Sequence, residues 1–298
     1  MTEKTSVFSK ATFFLSLVLT AERKNMNSFM SWVGGKKNLR DEVLARFPPY
    51  YERYIEVFGG AGWVLFHKPP GMDFEVYNDF NSNLANLYRC VRDKPAKLKY
   101  KLRYVLDSRE DFEYLALLHK RGILPRLYDV DRAAKFYQLI RYSYASGLDS
   151  FGSQPHSIWS DFPMIDLAAR RLQKVVIENK DFEKLVRQYD RPVSFFYCDP
   201  PYFATENYYK DVGFTAKDHI RLRDTLLEIK GKFLVSYNDC PEIREIWDKP
   251  NIHIEEISRL NNLAQRYDAG CQYGELLISN YDTSERAKAI KQLSLFDN

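Results

Sequence analysis

Cysteine is scarce in this chain. Its 298 residues contain Cys90, Cys198, Cys240 and Cys271, far apart and with no CxxC pair. That excludes a disulfide framework or a cysteine zinc site and fits a reducing, cytoplasmic compartment. The five histidines, His67, His119, His156, His219 and His253, show no ligand spacing, so no metal is assigned. Membrane-length apolar runs are also missing. The stretch Ala11 to Thr20, after Lys10, has the length of a signal-peptide core but is too short to cross a bilayer. Ala21-Glu-Arg-Lys24 makes a poor cleavage site after it. Residues 1–25 are therefore read as an N-terminal extension or an extra helix, with Met26 and Met30 as alternative starts. Nor is there a large surplus of charge. Forty-four basic against forty acidic residues leave +4, too little by itself to imply a polyanion partner.

What the chain does have is 45% hydrophobic and 15% aromatic residues, enough for one large core or two smaller ones. Seven short apolar runs rich in β-branched and aromatic residues alternate with helix-like stretches, the pattern of a parallel sheet with crossover helices. The fold class is α/β. The runs are Tyr54–Phe58, Phe74–Asn78, Val175–Glu178, Val193–Cys198, Phe233–Tyr237, Ile252–Ile257 and Glu275–Ser279, the last expected as an antiparallel edge. Between the second and third lie nearly a hundred residues, far more than a one-helix crossover needs. This insert, from Cys90 to Val175, holds 16 basic and 10 acidic residues, so the basic surplus is concentrated there. Helical periodicity is clearest at Asp131 to Ser143, where Phe136, Leu139, Ile140 and Ser143 share a face, and Tyr144 to Ser153 reads as a loop or hairpin.

Two constellations carry chemistry. Phe58-Gly-Gly-Ala-Gly62 follows a strand and precedes the helix-like Trp63-Val-Leu-Phe66, so its glycines allow a tight turn and close approach to a ligand. Asp79 stands seventeen residues further on, where a doubly wound fold places a carboxylate for ribose hydroxyls. Together they point to an adenosyl cofactor. The second constellation, Asp199-Pro-Pro-Tyr202, ends the fourth strand at the carboxyl edge of the sheet. Its prolines remove backbone donors and aim a free carbonyl beside the Asp199 carboxylate. Two converging acceptors suit an amino group that donates two hydrogen bonds and turns tetrahedral as it attacks a methyl group. Tyr202 offers a face for an extruded base.

At these residues the chain resembles the Dam-type, D12-class N6-adenine DNA methyltransferases, with motifs in order from Phe29 to Tyr281. Trp32-Val-Gly-Gly-Lys36, Phe58-Gly-Gly-Ala-Gly62, Tyr77-Asn-Asp-Phe-Asn81 and Asp199-Pro-Pro-Tyr202 are similar to the family's four motifs. The resemblance implies a Rossmann-like, S-adenosyl-L-methionine-dependent methyltransferase sheet over residues 26–93 and 172–283. It also implies a mostly helical target-recognition domain inserted at 94–171. Trp32, Lys36, Phe58, Gly59, Gly60, Gly62, Asp79, Asp181, Phe182 and Asp199 would hold the cofactor. Asp199, Pro200, Pro201 and Tyr202 would be catalytic, with double-stranded DNA as substrate. Arg141-Tyr142-Ser-Tyr144 and Gly147-Leu148 resemble the region that approaches DNA. On their own, Trp32 and Lys36 also read as a core aromatic and a solvated charge.

Lys97, Lys99 and Lys101, in a basic run from Arg92 to Arg103, read as phosphate contacts or as a solvated helix face. The segment Asp149-Ser-Phe-Gly-Ser-Gln-Pro-His156 departs from the family pattern, so GATC recognition is not carried over. In the tail, 284–298, Gln292-Leu293-Ser-Leu295-Phe296 resembles the peptide that docks bacterial proteins on the sliding clamp. The reading is a monomeric adenine methyltransferase. Cytosine-N4 or RNA methylation, or an inactive DNA- or clamp-binding module, are its rivals.

Overall fold

The computed structural model describes residues 26–152, 155–203, 213–260, 272–286 and 288. The N-terminal extension and the clamp-like peptide, including Gln292, Leu293, Leu295 and Phe296, lie outside them. Seven strands form one sheet: β1 (Arg53–Glu56), β2 (Phe74–Asn78), β3 (Val175–Glu178), β4 (Ser194–Cys198), β5 (Lys232–Asn238), β6 (His253–Leu260) and β7 (Gln272–Ser279). Each falls on one of the seven apolar runs. Their order is β3-β2-β1-β4-β5-β7-β6. β1 to β5 are parallel to their neighbours, whereas β7 runs antiparallel to both β5 and β6. The expected antiparallel edge is thus half corrected. β7 is antiparallel but interior, and β6 is the edge. The burial pattern explains it: Glu275 to Ser279 is buried on both faces, while His253 and Glu256 of β6 are exposed.

Alternation along the strands divides the core. Tyr54, Tyr77, Phe195 and Tyr197 face one hydrophobic cluster, and Ile55, Val76, Phe196 and Cys198 face the other. The second is covered by α8 (Phe182–Tyr189), α9 (Ala216–Leu227) and α10 (Pro241–Trp247). The first is covered by α1 (Arg40–Ala45), α2 (Trp63–His67), α3 (Ser82–Asp93) and the helices of the insert. Those are α4 (Pro95–Leu102), α5 (Arg109–Lys120), α6 (Asp129–Tyr142) and α7 (Phe162–Leu172). Phe136, Leu139 and Ile140 of α6 are buried as their spacing requires, in the same cluster as Phe195 and Leu234 of the sheet. The insert therefore shares its core with the sheet.

The chain reverses its order across the sheet between β1 and β4, the place where an open parallel sheet leaves a crevice at its carboxyl ends. The glycine turn follows one of these strands and Asp199 the other. Among the described residues no helix is long and apolar enough to cross a membrane.

Candidate active site

The crevice is a cleft of about 1020 Å³. On the sheet side it is lined by Trp32, Lys36, Glu56, Phe58, Gly59, Gly60, Asp79, Asp181, Phe182, Asp199, Pro201 and Arg221. On the insert side Leu117 and Lys120 of α5 and Ser146 to Asp149 close it. Residues far apart in sequence thus meet around one space.

The glycine turn is held by its surroundings. Gly59 N–H donates to the Asn78 carbonyl at 2.7 Å, and Gly60 N–H to Asp79 Oδ2 at 2.9 Å. The Gly60 carbonyl accepts from the hydroxyls of Tyr77 and Tyr88 at 2.7 and 3.1 Å. A Cβ on Gly59 would lie 2.2 Å from the Tyr77 ring, and Gly60 has φ +49°, so neither position accommodates a side chain easily. Gly62 does not line the cleft; it caps α2, where a Cβ would meet the Tyr88 hydroxyl at 2.9 Å. Asn81 accepts from the N–H groups of Asn83 and Leu84 and so starts α3. The Asn78 amide donates to the carbonyls of Val57 and Lys180, joining the ends of three strands.

Asp79 accepts from Gly60 and Asn81 N–H through different oxygens, leaving further lone pairs on each. Burial pushes its carboxyl up to about 6 against the pull of those two donors. Glu56, at the end of β1, is buried and raised to about 8 by desolvation, although Tyr54 donates to it at 2.7 Å.

At the end of β4, Lys36 Nζ lies 2.5 Å from Asp199 Oδ1, and Ser236 Oγ donates to the same oxygen at 3.0 Å. Oδ2 has no partner among the described residues. Burial raises the Asp199 pKa, with Glu275 adding to the shift, while Lys36 and Ser236 pull it back. Pro200 and Pro201 are buried. The Tyr202 ring sits 4.3 Å from Lys36 Nζ, and its hydroxyl is hydrogen-bonded to Glu275 of β7. Asp181 caps α8 through Glu183 N–H and is gripped by both terminal nitrogens of Arg221 at 3.0 and 2.9 Å. Burial alone would raise Asp181; the Arg221 hydrogen bonds reverse this and hold it below its ordinary value. The same guanidinium lies 3.9 Å over the Phe182 ring.

The residues assigned to DNA are more scattered. Gly147 borders the cleft and Tyr144 is 61% exposed, but Tyr142 is buried. Arg141 is spent within the insert: it binds both oxygens of Asp161 at 2.9 and 3.0 Å and contacts His156. Lys99 pairs with Asp166 and Lys101 with Asp131, while Lys97 is exposed without an acidic partner among the described residues. Ala145, Ser146 and Leu148 have φ of 49, 59 and 64°, so the cleft-side loop concentrates left-handed backbone at residues other than glycine. Sequence reasoning missed Glu56, Arg221, Ser236 and Glu275. For Ser236 a signal existed: a hydroxyl inside the apolar run Phe233–Tyr237.

A parallel sheet of this order, with a glycine turn after one central strand and Asp-Pro-Pro-Tyr after the next, defines a Rossmann-like methyltransferase. Residues 32–262 match the model of the D12 class N6 adenine-specific DNA methyltransferase family, and the chain belongs to that family. The Type II methyltransferase M1.LlaDCHI of Lactococcus lactis subsp. cremoris is 29% identical over 286 residues, covering 89% of this chain and 99% of the relative. The DNA adenine methylase of Escherichia coli K12 is 26% identical over 255 residues, covering 79% and 89%. That of Vibrio cholerae O395 is 27% identical over 259 residues, covering 79% and 90%. Among the described residues no group of His, Cys, Asp and Glu is placed to hold a metal.

Proposed function

We propose that this cleft transfers a methyl group from S-adenosyl-L-methionine to N6 of an adenine flipped out of duplex DNA. The observation that carries the reading is Asp199, with Oδ1 loaded by Lys36 and Ser236 and Oδ2 without a partner among the described residues. The glycine turn, which a side chain at Gly59 would disturb, and the Asp79 carboxylate fit an adenosyl group, with Trp32, Phe182 and Asp181 around it. Bound there, S-adenosyl-L-methionine supplies a methyl carbon made electrophilic by its sulfonium.

The protein's contribution is placement and charge. Asp199 Oδ2 and the Pro200 carbonyl accept the two N6 hydrogens and favour the tetrahedral nitrogen. Tyr202, braced by Glu275, stacks on the base. Attack by the N6 lone pair on that methyl would displace the sulfur as the thioether of S-adenosyl-L-homocysteine, and the proton lost from N6 would pass to solvent; no covalent enzyme intermediate is needed. The insert, taken as the target-recognition domain over 94–171, holds the duplex, with Tyr144, Gly147 and Lys97 facing it. The protein acts as a monomer. Its tail peptide Gln292–Phe296 docks on a bacterial sliding clamp, and deleting that peptide is expected to remove binding to purified clamp.

The test is incubation of the purified protein with methyl-labelled S-adenosyl-L-methionine and unmethylated genomic DNA, followed by nucleoside mass analysis and mapping. N6-methyladenine at one recurrent short sequence supports the proposal. Label in N4-methylcytosine, or cofactor binding without transfer to DNA, would each overturn it.

A further inference from the structure

Ser236 is fully buried in β5 between Phe233, Leu234, Val235 and Tyr237, none of which is exposed. Alanine would fill that place without a polar group, and a hydroxyl withdrawn from water is unfavourable unless its hydrogen bonds are made. Both are made. Ser236 Oγ lies 3.0 Å from Asp199 Oδ1 and 3.2 Å from the hydroxyl of Tyr197, itself buried in β4. An ionised carboxylate only accepts, and Asp199 Oδ1 at 3.0 Å is nearer than the Cys198 carbonyl at 3.5 Å, so Ser236 donates its single proton to Asp199 and Tyr197 donates to Ser236. Lys36 reaches the same oxygen at 2.5 Å.

We propose that Ser236, backed by Tyr197, is a positioning residue that fixes the rotation of the Asp199 carboxylate so that Oδ2 alone meets the target amine. The inference rests on the methyl-transfer reading. It adds a relay across two neighbouring strands that assigns one carboxylate oxygen to the protein and the other to substrate. The charged and titratable groups around Asp199 are Lys36 from the N-terminal segment, Glu56 of β1, Tyr197 of β4, Tyr202 and Glu275 of β7. Lys36 and Ser236 favour the ionised form, and Glu275 opposes it. Removing the Ser236 hydroxyl therefore raises the Asp199 pKa.

The test compares wild type, Ser236→Ala and Tyr197→Phe. In Ser236→Ala, kcat is expected to fall about tenfold, the share of one hydrogen bond to a charged group, with cofactor and DNA affinities unchanged. The acid limb of the kcat profile moves to higher pH, and Tyr197→Phe moves it less in the same direction. Carbon-13 titration of the Asp199 carboxyl in ligand-free protein reads the same shift without any turnover. A fall in kcat with the limb and the carboxyl titration unmoved would make Ser236 a packing residue and overturn the proposal, as would no change in kcat. Wild type that methylates no adenine, with the carboxyl titration shifted as expected, would remove the functional reading and leave the Ser236 contact standing.

Discussion

The inserted helices and the sheet side of the cleft use charge in different ways. On the insert side, cations are matched locally: Arg141 with Asp161, Lys99 with Asp166, Lys101 with Asp131. On the sheet side, Asp79 and Glu56 are acids raised by desolvation, and Asp199 is raised too although Lys36 pairs with one of its oxygens, all three lining the cleft. Matched pairs keep a helical scaffold in register, whereas desolvated acceptors remain available to a donor from outside. A basic total over the insert is therefore a poor guide to which of its residues touch a polyanion.

This contrast breaks in graded ways. Gly59→Ala should have the largest effect, because its Cβ would fall 2.2 Å from the Tyr77 ring and displace the turn. Cofactor affinity by calorimetry is expected to drop about a hundredfold, the consequence of overpacking by 2–3 kcal/mol. Arg141→Ala leaves the mostly buried Asp161 without its two guanidinium bonds, with His156 at 3.0 Å still beside it, and should lower stability by about 2 kcal/mol in denaturant titration. If stability held and only DNA affinity fell, Arg141 would belong with the substrate-facing residues instead.

The Asp79 carboxyl gives a pH signature. Its folded value of about 6 lies above its ordinary 3.8, so its share of folding stability is full below the lower value and is lost as pH rises through the upper. Cofactor affinity runs the other way, since ribose hydroxyls donate to the carboxylate, and should fall several-fold as pH drops through about 6. Asp79→Asn should abolish that dependence. The smallest effect is expected at Lys97→Ala, which should reduce the salt dependence of DNA binding by about one phosphate contact. Lys99→Ala and Lys101→Ala should leave it unchanged; equal effects of all three would show that the ion pairs open on DNA.

Much of this architecture was legible in the chain because strand identity is local. Seven apolar runs became seven strands, and the four motifs met at one cleft, all but Trp32–Lys36 because doubly wound connections deliver strand ends to the same edge. The place of β7 was misjudged. The burial of Glu275 to Ser279 marks an interior strand, and the exposure of His253 and Glu256 marks the edge. The supporting shell was less legible. Ser236 acts on Asp199, Glu275 on Tyr202 and Arg221 on Asp181 across strands or between helices, and no spacing along the chain encodes those meetings. The pairing of Lys99 and Lys101 depends likewise on where α4 crosses α6 and α7.

Under the proposed function, Asp199 accepts the target amine through a carboxylate oxygen kept open for it. Single-turnover methyl transfer to one unmethylated duplex, compared between wild type and Asp199→Asn, tests it most directly. N6-methyladenine is expected from wild type, with a loss of at least about a hundredfold in the variant and cofactor and DNA still bound. Near-normal transfer by Asp199→Asn would contradict it.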